Sequence, residues 1–252
     1  MKQSEYLNVL KLAKRTLEEY SNWGEEELRK FPVSETTEKN ANIAKSADPS
    51  ARQALPAAKL LQSLREEASK CKKCPLGTSR LTCVFGEGSP NAELMFVGEG
   101  PGYEEDHKGL PFIGRAGQLL TKIIEAMGHT RETVYIANIV KCHPMKDPSD
   151  PEKRSNDRPP TFDEMEICRT YLDRQLEIIK PKIIVTLGAS STKGLLKTEE
   201  SISLIRGTFK EYNGIKLLPT YHPAALLRNP DLKKDVWADM KKVMNYLKTG
   251  AV

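Results

Sequence analysis

The chain has 252 residues, enough for one α/β domain of about 200 residues plus an appendage, or for two small domains. Lys and Arg number 39 and Asp and Glu 34, giving a formal net charge of +5. This small excess suits a partner that carries phosphates but does not by itself indicate nucleic acid. The sequence contains no run of about 18 apolar residues, which excludes a membrane span. The N-terminus MKQSEYLNVLKLAKR lacks the apolar segment of a signal peptide, so we expect a cytoplasmic protein.

Residues 1–31 are predicted to form a helical appendage, because apolar side chains recur every three or four positions between Tyr6 and Tyr20. Residues 32–56 are polar, almost without large apolar side chains, and are predicted to form a flexible linker. The main domain would then occupy residues 57–252, and we expect it to be a monomer. The N-terminal helix would either pack on this domain or dock on a protein partner, and the sequence favours neither.

The main domain contains four apolar segments that are predicted to be strands. They lie at residues 92–98, 134–141, 182–188 and 215–220, and segments with helical spacing lie at 57–70, 117–128, 163–180, 190–197 and 231–248. Apolar strands separated by helices are typical of a parallel sheet covered on both faces. We therefore predict an α/β fold, a three-layer α/β/α arrangement around a central, mainly parallel four-stranded sheet, plus the N-terminal helical extension.

Each predicted strand runs directly into a polar or glycine-rich segment. These segments are Gly98–Gly102, Asn138–Cys142, Gly188–Ser191 and Tyr221–Pro223. In open α/β sheets, ligands bind beyond the carboxyl ends of the strands. We therefore expect the four segments to converge on one active-site cleft.

The chain has five cysteines, which in the cytosol indicate metal ligands or core residues rather than disulfides. Cys71 and Cys74 form a C-x2-C pair, and Cys142 and Cys168 would complete a site of four thiolates. Zinc and a [4Fe–4S] cluster both accept four thiolates, so the spacing does not separate them. Alternatively, Cys142 and Cys168 are ordinary buried residues. Cys83 is expected to be a plain core or surface thiol, although it could also take the place of one ligand.

Three motifs give the chain a resemblance to a known family. The segment from Cys71 to Leu120, which includes VGEGPG and GLPFIGRAGQLL, is followed by VYIANIVKCHP and then by PTYHPAALLRNP. Together these resemble family 4 uracil-DNA glycosylases over roughly residues 65–247. The resemblance implies hydrolysis of the N-glycosidic bond of uracil in single- or double-stranded DNA. It also implies a structural [4Fe–4S] cluster on the four cysteines Cys71, Cys74, Cys142 and Cys168.

The resemblance also suggests which residues bind uracil, since a base must leave the DNA stack before a protein can act on it. Phe112 matches the residue that stacks on the base, and Asn138 offers a donor and an acceptor that suit uracil O4 and N3–H but not cytosine. Gly98 and Gly100 belong to the motif that brings backbone amides close to the base. His222 is expected to donate to uracil O2, where negative charge develops as the bond breaks.

Glu99 and Glu105 are the carboxylates expected to orient water or to offset positive charge on the sugar, and the sequence does not decide between them. Four further residues are expected to contact DNA. Leu226 would insert into the gap left by the flipped base, whereas Arg115, Ser191 and Arg228 would bind phosphates. The stretch from residue 145 to 160, rich in Pro and charge, is expected to be a surface loop near DNA.

Two alternatives to turnover remain at this point. Some relatives in the superfamily trap the sugar covalently through a His in a basic insert after the second strand. This chain has His143 directly after Cys142 but no run of Arg and Lys that ends in His. The other alternative is a redox or zinc-binding scaffold protein, which would not respond to uracil.

Overall fold

The structure, a computed structural model, describes the backbone of residues 51–252 and the side chains from Pro56 onward. These residues fall within one compact unit, residues 49–252. The predicted appendage at 1–31 and most of the predicted linker lie outside the described residues, so both stay predictions. Helix α1 spans Ala51–Ser69 and carries Pro56 within it, so the expected end of the linker at residue 56 falls inside a helix.

Within residues 51–252 the sheet has six strands in the order β1-β3-β2-β4-β6-β5. Their bounds are β1 Glu87–Gly88, β2 Leu94–Gly98, β3 Tyr135–Asn138, β4 Ile183–Leu187, β5 Lys210–Tyr212 and β6 Ile215–Thr220. The neighbours β3, β2, β4 and β6 pair in parallel, whereas β1 and β5 pair antiparallel at the two edges. The mixed α/β class is confirmed and the strand count of four is wrong. The two edge strands have only two and three residues and lack an apolar run, so the hydrophobic pattern gives no signal for them.

Helices lie on both faces of the sheet. Their bounds after α1 are α2 Leu76–Ser79, α3 Tyr103–Lys108, α4 Arg115–Ala126, α5 Phe162–Ile179, α6 Ala189–Leu196, α7 Ile202–Ile205, α8 Pro223–Arg228 and α9 Leu232–Thr249. Helix α5 packs on α1 and on α6, whereas α8 packs on α4 and on α9. No helix in this described part of the chain is both long and apolar enough to cross a membrane.

The central strands are buried on both faces. Met95 and Val97 of β2 belong to one core cluster with Leu172 of α5. Because side chains alternate along a strand, Leu94 and Phe96 point to the opposite face, and they are equally buried. A strand that is covered on both sides must be apolar throughout, which explains why the sequence pattern identifies these strands.

The strand register brings the polar segments to one edge of the sheet. Gly98 at the end of β2 pairs with Asn138 at the end of β3, and Leu187 of β4 pairs with Thr220 of β6. From β2 the chain moves outward to β3 and then crosses to β4 on the other side of β2, which opens a crevice beyond the carboxyl ends of β2 and β4. The expected convergence of these segments is therefore observed.

Candidate active site

A cavity of about 380 Å³ lies at this edge, a size typical of small-molecule sites. Its lining includes six residues predicted from the sequence, namely Glu99, Gly100, Glu105, Phe112, Asn138 and His222. It also includes Pro144 and residues 157–160, which the sequence did not assign to the site.

Asn138 places an unsatisfied acceptor beside this cavity. Its side chain is 1% exposed, and among the described residues its Oδ1 has no hydrogen-bond partner. A buried polar atom without a partner costs about 1–3 kcal/mol, so this oxygen is set up to accept a hydrogen bond from a ligand. Gly98 lets the Asn138 and Phe112 side chains approach the backbone, since a Cβ there would lie 2.3 Å from Asn138 Oδ1 and 2.4 Å from Phe112 Cζ.

Phe112 forms an aromatic wall of the cavity in a strained backbone conformation. Its ring centroid lies 5.7 Å from that of His222, and the two planes are inclined by 34°. Its φ of 53° is in the left-handed region, which bulky residues rarely adopt and which costs about 1–3 kcal/mol. Gly117 in α4 lets the backbone of Phe112 pack against this helix, because a Cβ at Gly117 would lie 1.8 Å from Phe112 O.

Hydrogen bonds from Arg131 hold one side of the segment that contains Pro111 and Phe112. Its Nη1 donates to Phe112 O at 3.1 Å and its Nη2 to Pro111 O at 2.6 Å. Its Nε donates to Glu87 Oε1 at 2.7 Å, which anchors the guanidinium to β1. Sequence reasoning missed Arg131, because its role depends on contacts between distant parts of the chain.

Glu105 holds the other side of the segment. Its Oε1 accepts hydrogen bonds from the backbone N–H of Ile113 and of Gly114, both at 3.0 Å, and its Oε2 accepts from Gly102 N at 3.2 Å. Both carboxylate oxygens are therefore engaged by backbone amides. Of the two candidate carboxylates, Glu105 is the one that these bonds tie to the Gly102 turn and to the Phe112 segment, and its part in orienting water stays a prediction.

Glu99 is the carboxylate at the cavity that lacks such backbone bonds in the described structure. Burial raises the pKa of Glu99, and the Ser190 side chain acts in the opposite direction. A carboxylate with a raised pKa is a stronger base than a solvated one and suits proton transfer from water. Glu99 follows β2 and Ser190 follows β4, so the crevice between these strands holds both.

His222 lines the cavity as a neutral hydrogen-bond donor. It precedes α8, and its Nδ1 accepts a hydrogen bond from Ala224 N at 3.1 Å. Burial, with a contribution from the positive charge of Arg228, lowers the pKa of His222 to about 4. The imidazole is therefore uncharged near neutral pH, and because Nδ1 is an acceptor its proton is on Nε2. That N–H is the group available to a ligand.

The loop at residues 144–160 forms the outer wall of the cavity, which we name the wall loop. Asn156 organises it internally by donating from Nδ2 to Asp147 O at 2.8 Å and to Asp150 O at 2.9 Å. Arg158 joins it to α5 through two hydrogen bonds to the Glu164 carboxylate, at 2.8 and 2.7 Å. The sequence predicts a surface loop near DNA but gives no sign that these prolines and charges line the cavity.

His143 lies behind the wall loop and has no exposed surface. Its Nε2 is 2.6 Å from Asp157 Oδ1, and its Nδ1 is 3.5 Å from Asp106 Oδ2. Burial opposes protonation, but the two carboxylates outweigh it and raise the pKa of His143 to about 9. Each ring nitrogen of His143 thus lies close to a carboxylate, and the residue does not line the cavity.

The four residues expected to contact DNA divide into two pairs. Arg115 and Arg228 are exposed near the cavity. Ser191 is fully buried, with its Oγ donating to Leu187 O at 2.8 Å, and Leu226 is 1% exposed. Ser191 and Leu226 therefore do not reach a DNA strand in this conformation, because their side chains complete the packing of α6 and α8 instead.

The four predicted ligands Cys71, Cys74, Cys142 and Cys168 line one small cavity, separate from the cavity that Phe112 lines. Arg80 and Lys141 line it as well. All four are free thiols, and Cys83 is a partly buried thiol outside this lining. In the part of the chain that the structure describes, no three His, Cys, Asp or Glu side chains are placed to bind a single metal ion. The cluster therefore stays a prediction.

Comparisons with known proteins agree with this architecture. Residues 85–243 match the family model of the uracil DNA glycosylase superfamily. A type-4 uracil-DNA glycosylase of Sulfurisphaera tokodaii is 47% identical over 193 residues, covering 73% of this chain and 83% of that protein. The Saccharolobus solfataricus and Thermotoga maritima proteins of the same name are 46% and 41% identical and are covered over 88% and 95% of their lengths. The chain therefore belongs to the uracil DNA glycosylase superfamily and, within it, to the type-4 family.

Proposed function

We propose that this protein excises uracil from DNA by hydrolysing the N-glycosidic bond of a base held in the cavity. The observation that carries the proposal is the buried, unsatisfied Oδ1 of Asn138, a residue that lines the cavity together with Phe112 and His222. Relatives that share 39–47% identity with this chain are named type-4 uracil-DNA glycosylases, which supports the same activity here.

Base selection follows from the amide of Asn138. Its Oδ1 accepts from uracil N3–H and its Nδ2 donates to uracil O4. Cytosine has an unprotonated N3 and an amino group at position 4, so both contacts become unfavourable. Phe112 holds the flat base by stacking, and Gly98 lets the Phe112 ring and the Asn138 amide pack close together.

Bond cleavage follows from the neutral state of His222. As the bond between N1 and C1′ breaks, its electron pair moves onto the uracil ring and C1′ becomes cationic. The Nε2–H of His222 donates to uracil O2, and this bond strengthens as negative charge develops there. A neutral imidazole can do this without losing its own proton.

Water completes the reaction at C1′, and Glu99 is the residue that we assign to orient it. The water oxygen forms the new bond to C1′, and its proton passes to Glu99 and then to solvent. The carboxylate also offsets the positive charge on the sugar. Glu105 supports this site indirectly, since it fixes the Gly102 turn that follows Glu99.

We also propose that Cys71, Cys74, Cys142 and Cys168 hold a [4Fe–4S] cluster. All four line one cavity, and two of the sulfurs accept hydrogen bonds, from Arg80 Nη1 to Cys142 at 3.0 Å and from Lys141 N to Cys168 at 3.3 Å. Hydrogen bonds to thiolate sulfurs are a usual part of iron–sulfur sites. The cluster would join the segment before β2 to the loop after β3 and to α5.

The activity is tested by incubating the purified protein with an oligonucleotide that contains one uracil and separating the products on a denaturing gel. Free uracil together with an abasic strand supports hydrolysis. A protein band shifted by bound DNA would instead support covalent capture, and no change would support a scaffold role. The position of His143 away from the cavity favours hydrolysis over capture by that residue.

A further inference from the structure

Lys141 carries a buried positive charge whose hydrogen-bond acceptors are neutral. The side chain is 1% exposed, and its Nζ donates to Asn138 O at 2.8 Å and to Gln175 Oε1 at 2.6 Å. Carbonyl oxygens satisfy the ammonium hydrogens but do not cancel its charge. Burial of a charge without an opposite charge nearby is strongly unfavourable, so the structure calls for an anion close to Lys141.

Arg80 brings a second cation to the same place. Its Nη1 donates to Cys142 Sγ at 3.0 Å, and its Nη2 donates to Ser69 O at 2.5 Å and to Cys71 O at 3.3 Å. The guanidinium of Arg80 thus links Ser69 at the end of α1 and Cys71 to Cys142, the residue after Lys141. It is partly exposed, whereas Lys141 closes the site from the protein interior.

The thiols provide the groups that can become anionic between these two cations. Cys142 and Cys168 are both buried, and their sulfurs already accept hydrogen bonds from Arg80 Nη1 and from the backbone N–H of Lys141. Four thiolates in one cavity repel one another unless positive charge is supplied. Metal ligation supplies part of that charge, but a [4Fe–4S] centre with four thiolates in its usual oxidised state is still a dianion, which two side-chain cations would balance.

We propose that Lys141 and Arg80 are the counter-charges of the iron–sulfur centre, which retain it and set its reduction potential. The inference rests on the proposed cofactor. It assigns a role to two residues that the glycosylase reaction does not use, and it explains why a lysine is buried between β3 and the cysteines. Because Lys141 also binds the carbonyl of Asn138, one side chain joins the cofactor site to the strand that recognises the base.

The test replaces each charge while keeping the chain length, in Lys141→Met and Arg80→Met. Lys72→Met is the matched control, since Lys72 lies between the first two cysteines but is exposed. Arg80→Lys keeps the charge and provides a second variant if the methionine variants fold poorly. The readouts are iron and sulfide content, the rate at which a chelator bleaches the visible absorbance, and the reduction potential from protein-film voltammetry.

We expect the two methionine variants to lose the centre to the chelator several-fold faster than wild type and to show a lower reduction potential. Reduction adds negative charge, which is less favourable once a nearby cation is gone. Lys72→Met should match wild type, and Arg80→Lys should fall nearer to wild type than Arg80→Met. Wild-type retention and potential in both methionine variants would overturn the inference while leaving the cofactor in place. Wild-type protein without iron and sulfide would overturn the cofactor proposal and the inference together.

Discussion

Arg131 Nη1 donates a hydrogen bond to the carbonyl oxygen of Phe112 at 3.1 Å, and Phe112 is the aromatic wall of the cavity. Phe112 has a φ of 53°, so its backbone conformation depends on outside contacts that outweigh local strain. Arg131 supplies two of them from one planar guanidinium, because it also binds Pro111 O. Arg131 is therefore a positioning residue for the stacking ring.

We expect Arg131→Met to lower single-turnover uracil excision by roughly ten- to a hundredfold, since small displacements of a substrate-positioning group are costly. Arg131→Lys should recover little, because an ammonium cannot bind both carbonyls in the same plane. Arg174→Met is the control, as Arg174 forms an exposed ion pair with Glu67. Inhibition by free uracil should weaken in parallel with the rate. A variant with lower thermal stability but unchanged uracil inhibition would contradict a positioning role.

Asn138→Asp tests base recognition. The carboxylate lacks the donor for uracil O4 and repels that oxygen, so we expect uracil excision to fall roughly ten- to a hundredfold, the cost of an unsatisfied buried group. Competition between uracil and cytosine oligonucleotides measures the selectivity. Unchanged preference for uracil would remove Asn138 from base recognition.

Glu99→Gln and Glu105→Gln separate a reacting carboxylate from a positioning one. We expect Glu99→Gln to lower the cleavage rate by about 10²–10⁴, the usual contribution of a general base, with little change in stability. Glu105→Gln weakens charge-assisted bonds to three backbone amides, each worth about 1.5–3 kcal/mol, so its melting temperature should fall. Single-turnover rates and thermal unfolding of the two variants make the comparison. The opposite pattern would exchange the two assignments.

His222 gives a pH prediction with a definite sign. Its pKa is about 4 in the folded protein and about 6.5 when unfolded. Between these values the unfolded chain binds a proton that the folded protein does not, so stability is lost as pH falls from 6.5 towards 4 and is retained above 6.5. His222→Gln does not titrate in this range. Chemical denaturation should therefore show that its free energy of unfolding falls less than that of wild type between pH 7.5 and pH 5. Equal losses in the two proteins would contradict a neutral imidazole.

The same residue affects the rate. His222→Ala removes one donor to a developing oxyanion, which typically costs about 10²–10³ in kcat. In wild type, the neutral donor persists down to pH 5, so the single-turnover rate should not change through a titration centred near pH 6.5. A wild-type rate that falls as pH rises through 6.5, with no such fall in His222→Ala, would show that His222 is charged when it acts.

The sequence was sufficient for the features that follow from local pattern. Strands β2, β3, β4 and β6 are apolar because both of their faces are buried, and the polar segments at their ends meet because parallel strands end at one edge. Features that depend on tertiary contacts were missed. Arg131 and Lys141 resemble ordinary surface cations in the sequence, and only the folded chain shows what each one binds.

Two further residues show in the same way what the sequence pattern does not give. Leu226 and Leu227 are adjacent in a short helix, and the sequence does not show which of them faces the protein. The structure buries Leu226 and leaves Leu227 partly exposed. Glu99 and Glu105 are both acidic residues near the glycine motif, and the sequence does not separate them, whereas in the structure backbone amides donate to Glu105.

The attachment of the wall loop has a consequence for damage to the protein. The loop begins two residues after Cys142 and ends before α5, the helix that carries Cys168. Both of its ends are thus tethered to predicted ligands, whereas Asn138 and His222 are held by the sheet. If the proposed cluster is present, we expect oxidants that destroy it to loosen the outer side of the cavity first, so that such molecules stay folded but bind the base less tightly.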